Sequence, residues 1–354
     1  MEETCPHVGQ QSRVLIARLS HIGDCVLTLP MLTALRRAMP SAFIAWAVEA
    51  PSHQLLSLHR DIDELVLIPR GWMTSPRKWR SIRNELKRHR FDIAIDPQGI
   101  TKSAVLGWLS GAKRRIGVTG RWGRELSVYL NNEKIEPIRE HVCDRSLELL
   151  GLLGIQEREA VFNLPVCSDS LAKMKQFVQS RCSSQRFALV NPGASWPSKR
   201  WETERFAAVA QYLDETHTLK SIVTWAGQEE QDMARTIVSV APKAAIMAPK
   251  TSLRELAALS CLSEFFVGCD TGPLHIAAAM GCRCLGLYGT TRPTESGAYG
   301  LQHIAVQKWF QSGTSRERRG ADNQAMRDIQ VDDVCRAVDK MIHSESEFQR
   351  RKTG

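Results

Sequence analysis

The residues of this chain best suited to hold an anion lie in Phe265–Gly289, which reads FFVGCDTGPLHIAAAMGCRCLGLYG. Asp270, Thr271 and Gly272 follow the apolar run Phe265–Val267, and Pro273 and His275 come directly after. Aspartate is a good N-cap, and proline suits a first helical turn because it has no N–H to leave unpaired. Gly281 suits the left-handed position just past a helix end. The spacing therefore predicts a strand, a turn, a helix and a second strand at Leu285–Tyr288. Thr271 and Gly272 fall where free N–H groups and the positive end of a helix dipole would meet a phosphate. The His275 side chain, about one turn in, can face the same ligand. An aspartate that merely caps a crossover helix gives the same pattern, so both readings stand on these residues alone.

A matching unit opens the chain. Val14–Ala17 (VLIA) is strand-like, Ser20–Gly23 is a small polar loop, and Asp24 opens a helix over Cys25–Ala38 that Pro40 closes. Two strand–loop–helix units with an acidic residue at each turn predict two Rossmann-like domains facing one another across a cleft. A Gly/Pro/Ser loop, Pro192–Lys199, follows the strand-like Phe187–Asn191 and ends on Lys199 and Arg200. Glu229 and Glu230 follow a turn after Ser221–Trp225, where an acidic residue accepts hydrogen bonds from ribose hydroxyls. Spacing does not say which of the two does so, or whether either is more than an exposed helix start.

Four segments, SHIGDCVLTLP, DPQGITKSA, NPGASWPSKRW and DTGPLHIAAAMG, occur in this order between Arg13 and Val338. They resemble the successive motifs of glycosyltransferase family 9, the ADP-heptose:lipopolysaccharide heptosyltransferases. The resemblance implies a GT-B-type α/β fold, two Rossmann-like domains with parallel sheets facing a central cleft. It implies an inverting transfer of heptose from ADP-heptose to the inner core of lipopolysaccharide, onto a sugar-acid or heptose acceptor on lipid A. Asp24 falls on the family's catalytic base and Lys199 on the group that meets the charge of the leaving diphosphate, with Arg200 as a helper. A helix N-terminus favours an ionised base, and a flexible ammonium can follow a phosphate as the glycosidic bond lengthens. Donor contacts fall on Glu230, Thr251, Asp270, Thr271, Gly272 and His275. Arg18, Lys102, Arg124 and Arg145 stand where enzymes adding the first heptose place basic residues, which suits an acceptor bearing carboxylates and phosphates. Two departures stand out: residues 309–325 lack the cysteines of many second-heptose enzymes, and Arg292 replaces a small or acidic residue.

The elements that must position these groups alternate along 354 residues, a length suited to two domains rather than one. The first, acceptor-binding domain is expected over 12–160 and the second, ADP-sugar-binding domain over 165–342, with 1–11 and 344–354 as disordered tails. Strands are expected at Phe43–Val48, Glu64–Ile68, Asp92–Asp96 and Ala245–Met247, and helices at Trp79–Arg88, Thr101–Leu109, Glu140–Leu153, Leu171–Ser180, Trp201–Glu215, Glu229–Val240, Leu253–Leu259 and Val331–Ile342. No fixed-period repeat is evident.

The net charge of +9 gathers in Arg70–Arg90, with Trp72 and Trp79, and in Lys113–Arg124. A solvated helix face and a surface for a phosphorylated or carboxylated partner explain this equally well. A basic nucleic-acid-binding protein is the rival from another class, but an aromatic content of 6% and the lack of a binding module oppose it. A transferase or epimerase using another nucleotide-sugar is the rival among enzymes. No apolar run approaches the ~20 residues of a membrane span, and Met1–Gln11 does not read as a signal peptide. The ten cysteines form no paired CxxC clusters and suit a reducing cytoplasm, with Cys25, Cys261 and Cys269 in apolar segments. The expected partners are ADP-heptose, the anionic core acceptor and the inner-leaflet membrane surface, met peripherally; no nucleic acid, cofactor or metal is expected. Asp61–Asp63, the one Asp-x-Asp, lies far in sequence from the donor motifs.

Overall fold

The computed structural model describes residues 11–182 and 186–353. Contiguous apolar runs such as Val14–Ala17 and Phe265–Val267 are buried on every residue, as strands covered by helices on both faces must be. The chain divides into two units, Met1–Pro165 and Val166–Gly354, each built on one six-stranded parallel sheet. The first contains β1 (Arg13–Ala17), β2 (Phe43–Val48), β3 (Glu64–Leu67), β4 (Ile93–Asp96), β5 (Arg114–Val118) and β6 (Glu133–Ile135), in the order β3-β2-β1-β4-β5-β6. The second contains β7 (Phe187–Asn191), β8 (Lys220–Val223), β9 (Ala245–Met247), β10 (Phe265–Cys269), β11 (Arg283–Leu287) and β12 (Ile304–Val306), in the order β12-β11-β10-β7-β8-β9. Both sheets are doubly wound, and each reverses its strand order beside its first strand. Loops there diverge at the carboxyl ends and leave room for a ligand.

Alternation along the strands sorts the second core into two layers. Phe265, Val267, Ala188 and Val190 face the layer of Trp201 and Phe206, while Phe266, Phe187 and Leu189 face that of Leu274 and Tyr288. Each such aromatic or aliphatic side chain contributes about 1.5–3 kcal/mol by leaving water. Short edge strands β3 and β12 carry more exposed residues, which discourages pairing with other chains.

Several elements differ from expectation. β5 and β6 were not legible because they begin or end on charge. Arg114 donates twice to Glu133 on β6, at 2.8 and 2.7 Å, and Arg115 Nε donates to Leu130 O at 2.8 Å. Part of the second basic cluster is thus internal to the sheet. The first basic cluster is largely the helix Pro76–Arg88, where Ile82 and Leu86 are buried while Arg77, Lys78, Arg80, Arg83, Lys87 and Arg88 are exposed. Trp72 is fully buried against Trp79, with ring centroids 5.7 Å apart, so this pair is packing. Helix Val142–Leu149 is shorter than expected and ends in a 3-10 turn at Leu153 before Gly154. The last helix runs Val331–Thr353, through most of the segment expected as a tail, and residues 1–10 lie outside the described residues. Asp61 accepts from Asn163 at 3.1 Å and Asp63 from the Ile44 N–H at 2.7 Å, which ties both into the first unit. Cys25 and Cys269 are buried but Cys261 is exposed.

One turn fixes the geometry at the reversal in the first sheet. Asp96 ends β4 and accepts from the N–H groups of Gln98 and Gly99, at 3.1 and 3.0 Å, and from Asn131 at 3.1 Å. Gly99 has φ +65°, and a Cβ there would lie 2.5 Å from Trp122 O and from Val118 Cγ2. Its carbonyl accepts from Arg124 N at 2.9 Å and Ser127 Oγ at 3.0 Å, so it anchors the loop after β5. Gly99→Ala should cost roughly 2–4 kcal/mol from the left-handed backbone and the clash together. Urea denaturation checks this, and a midpoint equal to wild type would contradict it.

Candidate active site

The loop after β7 crosses the reversal in the second sheet and brings Lys199 to the end of β10. Lys199 Nζ lies 2.7 Å from Asp270 Oδ2 and 4.6 Å from the centre of the Trp196 ring. The other carboxylate oxygen, Oδ1, takes His275 Nε2 at 3.2 Å. Only 6% of the Asp270 side chain and 12% of Lys199 are exposed, so both oxygens of this aspartate are spoken for. Burial works against the Asp270 charge, yet Lys199 and His275 outweigh it and hold the carboxyl well below the usual range. The expected helix is Gly272–Ala279, but its N-cap is Thr271, not Asp270. Asp270 is drawn instead to the ammonium and the imidazole, a stronger partnership than one backbone N–H. Gly281 is left-handed at φ +80°, as expected past the helix end.

The two glutamates separate cleanly. Glu229 pairs with both terminal nitrogens of Arg200 and is exposed, whereas Glu230 Oε2 accepts the Ala226 N–H at 2.8 Å. Burial pushes the Glu230 carboxyl above its ordinary range, against the lowering effects of that N–H and of Arg200. Gly193, in the loop after β7, leaves room for this carboxylate: a Cβ there would lie 2.1 Å from Glu230 Oε1. Glu230 thus occupies the turn after β8, on the same side of the sheet as Lys199. Thr251 is half-buried in the loop after β9, just before Ser252, which caps helix Leu253–Leu262. Arg200 is committed to Glu229 and to Ala194 O, at 3.2 Å, which makes it a brace of the loop.

In the first unit, helix Ile22–Ala38 begins two residues before Asp24, with His21 as N-cap. The peptide bond Ser20–His21 is cis. Asp24 Oδ2 accepts the His21 N–H at 3.2 Å, and Oδ1 lies 3.0 Å from Arg18 Nη2. Arg18 is buried and donates from Nη1 to Pro97 O at 2.9 Å, which ties the loop after β1 to the loop after β4. Asp24 keeps a third of its side chain exposed. A carboxylate in that setting is a hydrogen-bond acceptor with part of its surface in solvent. Arg18, expected among the acceptor contacts, pairs with Asp24.

The remaining basic candidates differ in freedom. Lys102 pairs with Glu49, which caps helix Ala50–Leu56 and whose N–H donates to Leu19 O at 3.0 Å. Arg145 lies 3.5 Å over the Trp122 ring and donates to Glu140 O. Arg124 is exposed in the loop after β5. All three belong to loops or first turns at the carboxyl ends of β4 and β5 or to the helix Val142–Leu149 behind them. Among the described residues, Glu64, Glu85 and His89 form the grouping with metal-ligand spacing, their ligand atoms within 4.8 Å of one another. It lies at the start of edge strand β3, at the opposite end of the sheet from Asp24. Sequence reasoning missed Trp196, Glu49 and Trp122; each sits beside a basic residue in the chain or across a loop, a signal too common to single out.

The sequence profile of the glycosyltransferase family 9 (heptosyltransferase) matches residues 79–324. Lipopolysaccharide heptosyltransferase 1 of Salmonella typhimurium is 26% identical over 303 residues, covering 83% of this chain and 93% of that one. Among solved structures, the glycosyl transferase family 9 protein of Veillonella parvula superposes with a TM-score of 0.82 at 23% identity, over 94% of this chain and 98% of that one. An Escherichia coli heptosyltransferase solved with ADP gives 0.73 at 23% identity, over 93% and 99%. The fold of this chain is therefore GT-B.

The buried pair at Asp270 makes an energetic demand that can be measured. Asp270→Asn leaves the Lys199 ammonium buried without its counter-charge, which should cost about 3–5 kcal/mol at pH 7. Because the folded-state carboxyl is depressed, its stabilisation is complete above the ordinary value of 3.8 and is lost only as pH falls through the lower folded value. The difference between wild type and variant should hold from pH 7 to about 4 and narrow in stronger acid. Urea midpoints across this range check it; a gap that closes well above pH 4 would contradict it.

Proposed function

Since the chain belongs to glycosyltransferase family 9, whose members are heptosyltransferases, we propose that it moves heptose from ADP-heptose to the inner core of lipopolysaccharide with inversion at the anomeric carbon. The observation that carries this reading is the contrast between two aspartates. Asp270 is sealed, both oxygens taken by Lys199 and His275, and cannot accept a substrate proton. Asp24 accepts from the His21 N–H and pairs with Arg18, yet a third of its side chain remains exposed, which is what a base needs. In the proposed reaction Asp24 takes the proton of the acceptor hydroxyl. The acceptor oxygen bonds to the anomeric carbon as the bond from that carbon to the diphosphate oxygen breaks, and ADP departs. One displacement of this kind inverts the centre.

The donor contacts come from the second unit. The N–H groups at Thr271 and Gly272, with the dipole of helix Gly272–Ala279, favour the diphosphate. Lys199 has donors beyond the one facing Asp270, and Glu230 offers its other oxygen to ribose hydroxyls at the turn after β8. Thr251 belongs to the adenine end through its loop. The acceptor, a sugar acid or heptose on lipid A, draws on Lys102, Arg124 and Arg145, while Arg18 keeps the base in place. No helix among the described residues is long and apolar enough to cross a membrane. The exposed basic face of helix Pro76–Arg88 supports a peripheral site of action at the anionic inner leaflet, on the cytoplasmic side.

Two measurements test the reading. Calorimetry with ADP, UDP and GDP should favour ADP; Glu230→Ala should weaken ADP by about 10- to 150-fold, and Glu229→Ala by less than about threefold. A preference for UDP or GDP would remove the donor assignment. Asp24→Asn should preserve folding and ADP affinity, since Asn can still accept the His21 N–H, but lower turnover by roughly 10²–10⁴-fold. Turnover near that of wild type would leave Asp24 as a helix-capping residue.

A further inference from the structure

The charge of Lys199 is already balanced by Asp270, so its net field on a departing diphosphate is small. Uncompensated positive charge lies close by, in a segment with no assigned role. Arg318 belongs to the short helix Ser315–Arg319, and its carbonyl accepts from Ser198 Oγ at 2.6 Å, one residue before Lys199. Its Nη1 donates to Thr290 O at 2.7 Å, in the loop after β11. Arg318 therefore links the loop after β7 to the loop after β11, on either side of the loop after β10 that carries Asp270 and Thr271. In the register of β10 and β11, Cys269 stands opposite Leu287, so Thr271 and Thr290 lie two and three residues past the last paired positions.

Three buried polar atoms here have no hydrogen-bond partner among the described residues: Arg318 Nε, Thr290 Oγ1 and Thr271 Oγ1. Thr290 itself is 1% exposed. Native proteins rarely bury a donor without a partner, because each one costs its full desolvation. Nor does Arg318 have an ion pair among the described residues; Glu295, the carboxylate whose charge acts on it, pairs with Arg292 at 3.5 Å. Arg292 lies 4.4 Å and Arg318 5.8 Å from the centre of the Phe310 ring, and Arg319 lies 4.7 Å from that of Trp196. Burial, against the opposing effect of Glu295, and the like charges of Arg292 and Arg319 pull the Arg318 guanidinium below its ordinary value of 12.5. Such a cluster is costly without an anion and favourable with one.

We propose that Arg318 and Thr290, backed by the charge of Arg319, bind the terminal phosphate of a nucleoside diphosphate and so carry charge that Lys199 alone does not. This rests on the donor reading given under Proposed function. A guanidinium with an unpartnered Nε–H, bonded to the backbone of the residue that carries an unpartnered hydroxyl, matches the oxygens of that phosphate. The α-phosphate remains with the N–H groups at Thr271 and Gly272.

Calorimetry of the full chain with ADP and with AMP, which lacks the terminal phosphate, tests the assignment. Arg318→Gln should weaken ADP by about 10- to 100-fold and AMP by less than about threefold, with Arg318→Lys recovering part of the loss. Thr290→Val is nearly isosteric and breaks no side-chain hydrogen bond of the protein, so it should keep the wild-type melting temperature while weakening ADP by about 3- to 10-fold. If Arg318→Gln does not fold, Thr290→Val decides. Unchanged ADP affinity in the variants, or equal losses for ADP and AMP, would overturn the proposal. A wild-type preference for UDP or GDP would overturn only the choice of nucleoside, and the preferred diphosphate and its monophosphate then replace ADP and AMP. Wild-type protein that binds no nucleoside diphosphate would overturn both.

Discussion

Each unit is held at its strand-order reversal by a cation laid from the loop after its first strand to the loop after its fourth. In the first unit Arg18 leaves the end of β1 and donates to Pro97 O beyond β4, with Asp24 as its counter-charge. In the second unit Lys199 leaves the loop after β7 and reaches Asp270 beyond β10. A parallel doubly wound sheet forces these loops apart, since crossovers on the two sides of the reversal leave toward opposite faces. Without a tie, each pair of loops would be free to splay. The buried charges are costly to desolvate, and the partner carboxylate and carbonyl groups offset that cost only in this geometry.

The same device leaves the two carboxylates in opposite states. In the second unit it consumes Asp270 entirely, because the ammonium takes one oxygen and His275 the other. In the first unit Asp24 pairs with Arg18 and accepts the His21 N–H, but a third of its side chain meets solvent. One aspartate is closed into the scaffold and the other keeps surface open to solvent. The difference comes from where each sits: Asp270 comes just before the N-cap Thr271 and turns inward, while Asp24 lies in the third helical position and points back along the first turn.

Charge that looks alike in sequence has three fates in the fold. Arginines of the helix Pro76–Arg88 stay solvated, since it is Trp79, Ile82 and Leu86 of that helix that face the core. Arg114 and Arg115 enter a strand and find Glu133 and Leu130 O across it. Arg318 finds no carboxylate among the described residues and sits against an aromatic ring and a backbone oxygen. Composition reports the sum of these, but partner distance sets their energies.

The sequence by itself determined the doubly wound units and the motif residues at their strand ends. Those signals are local: apolar runs buried on both faces, a proline in a first turn, a glycine past a helix end, and four motifs in family order. It also placed Lys199, Glu230, Asp270, Thr271, Gly272 and His275 in one unit, where the loops after β7, β8 and β10 bring them to one side of a single sheet. Spacing could not choose between Glu229 and Glu230, because neighbouring residues on a helix point about 100° apart and only the positions of Arg200 and Gly193 fix which one turns inward. Nor could it assign Asp270 to Lys199 rather than to a helix cap, or find the pairing of Arg18 with Asp24. Those choices are pairings between residues far apart in the chain or between competing local partners. The tertiary structure decides them, through which loops the sheet brings within hydrogen-bond distance.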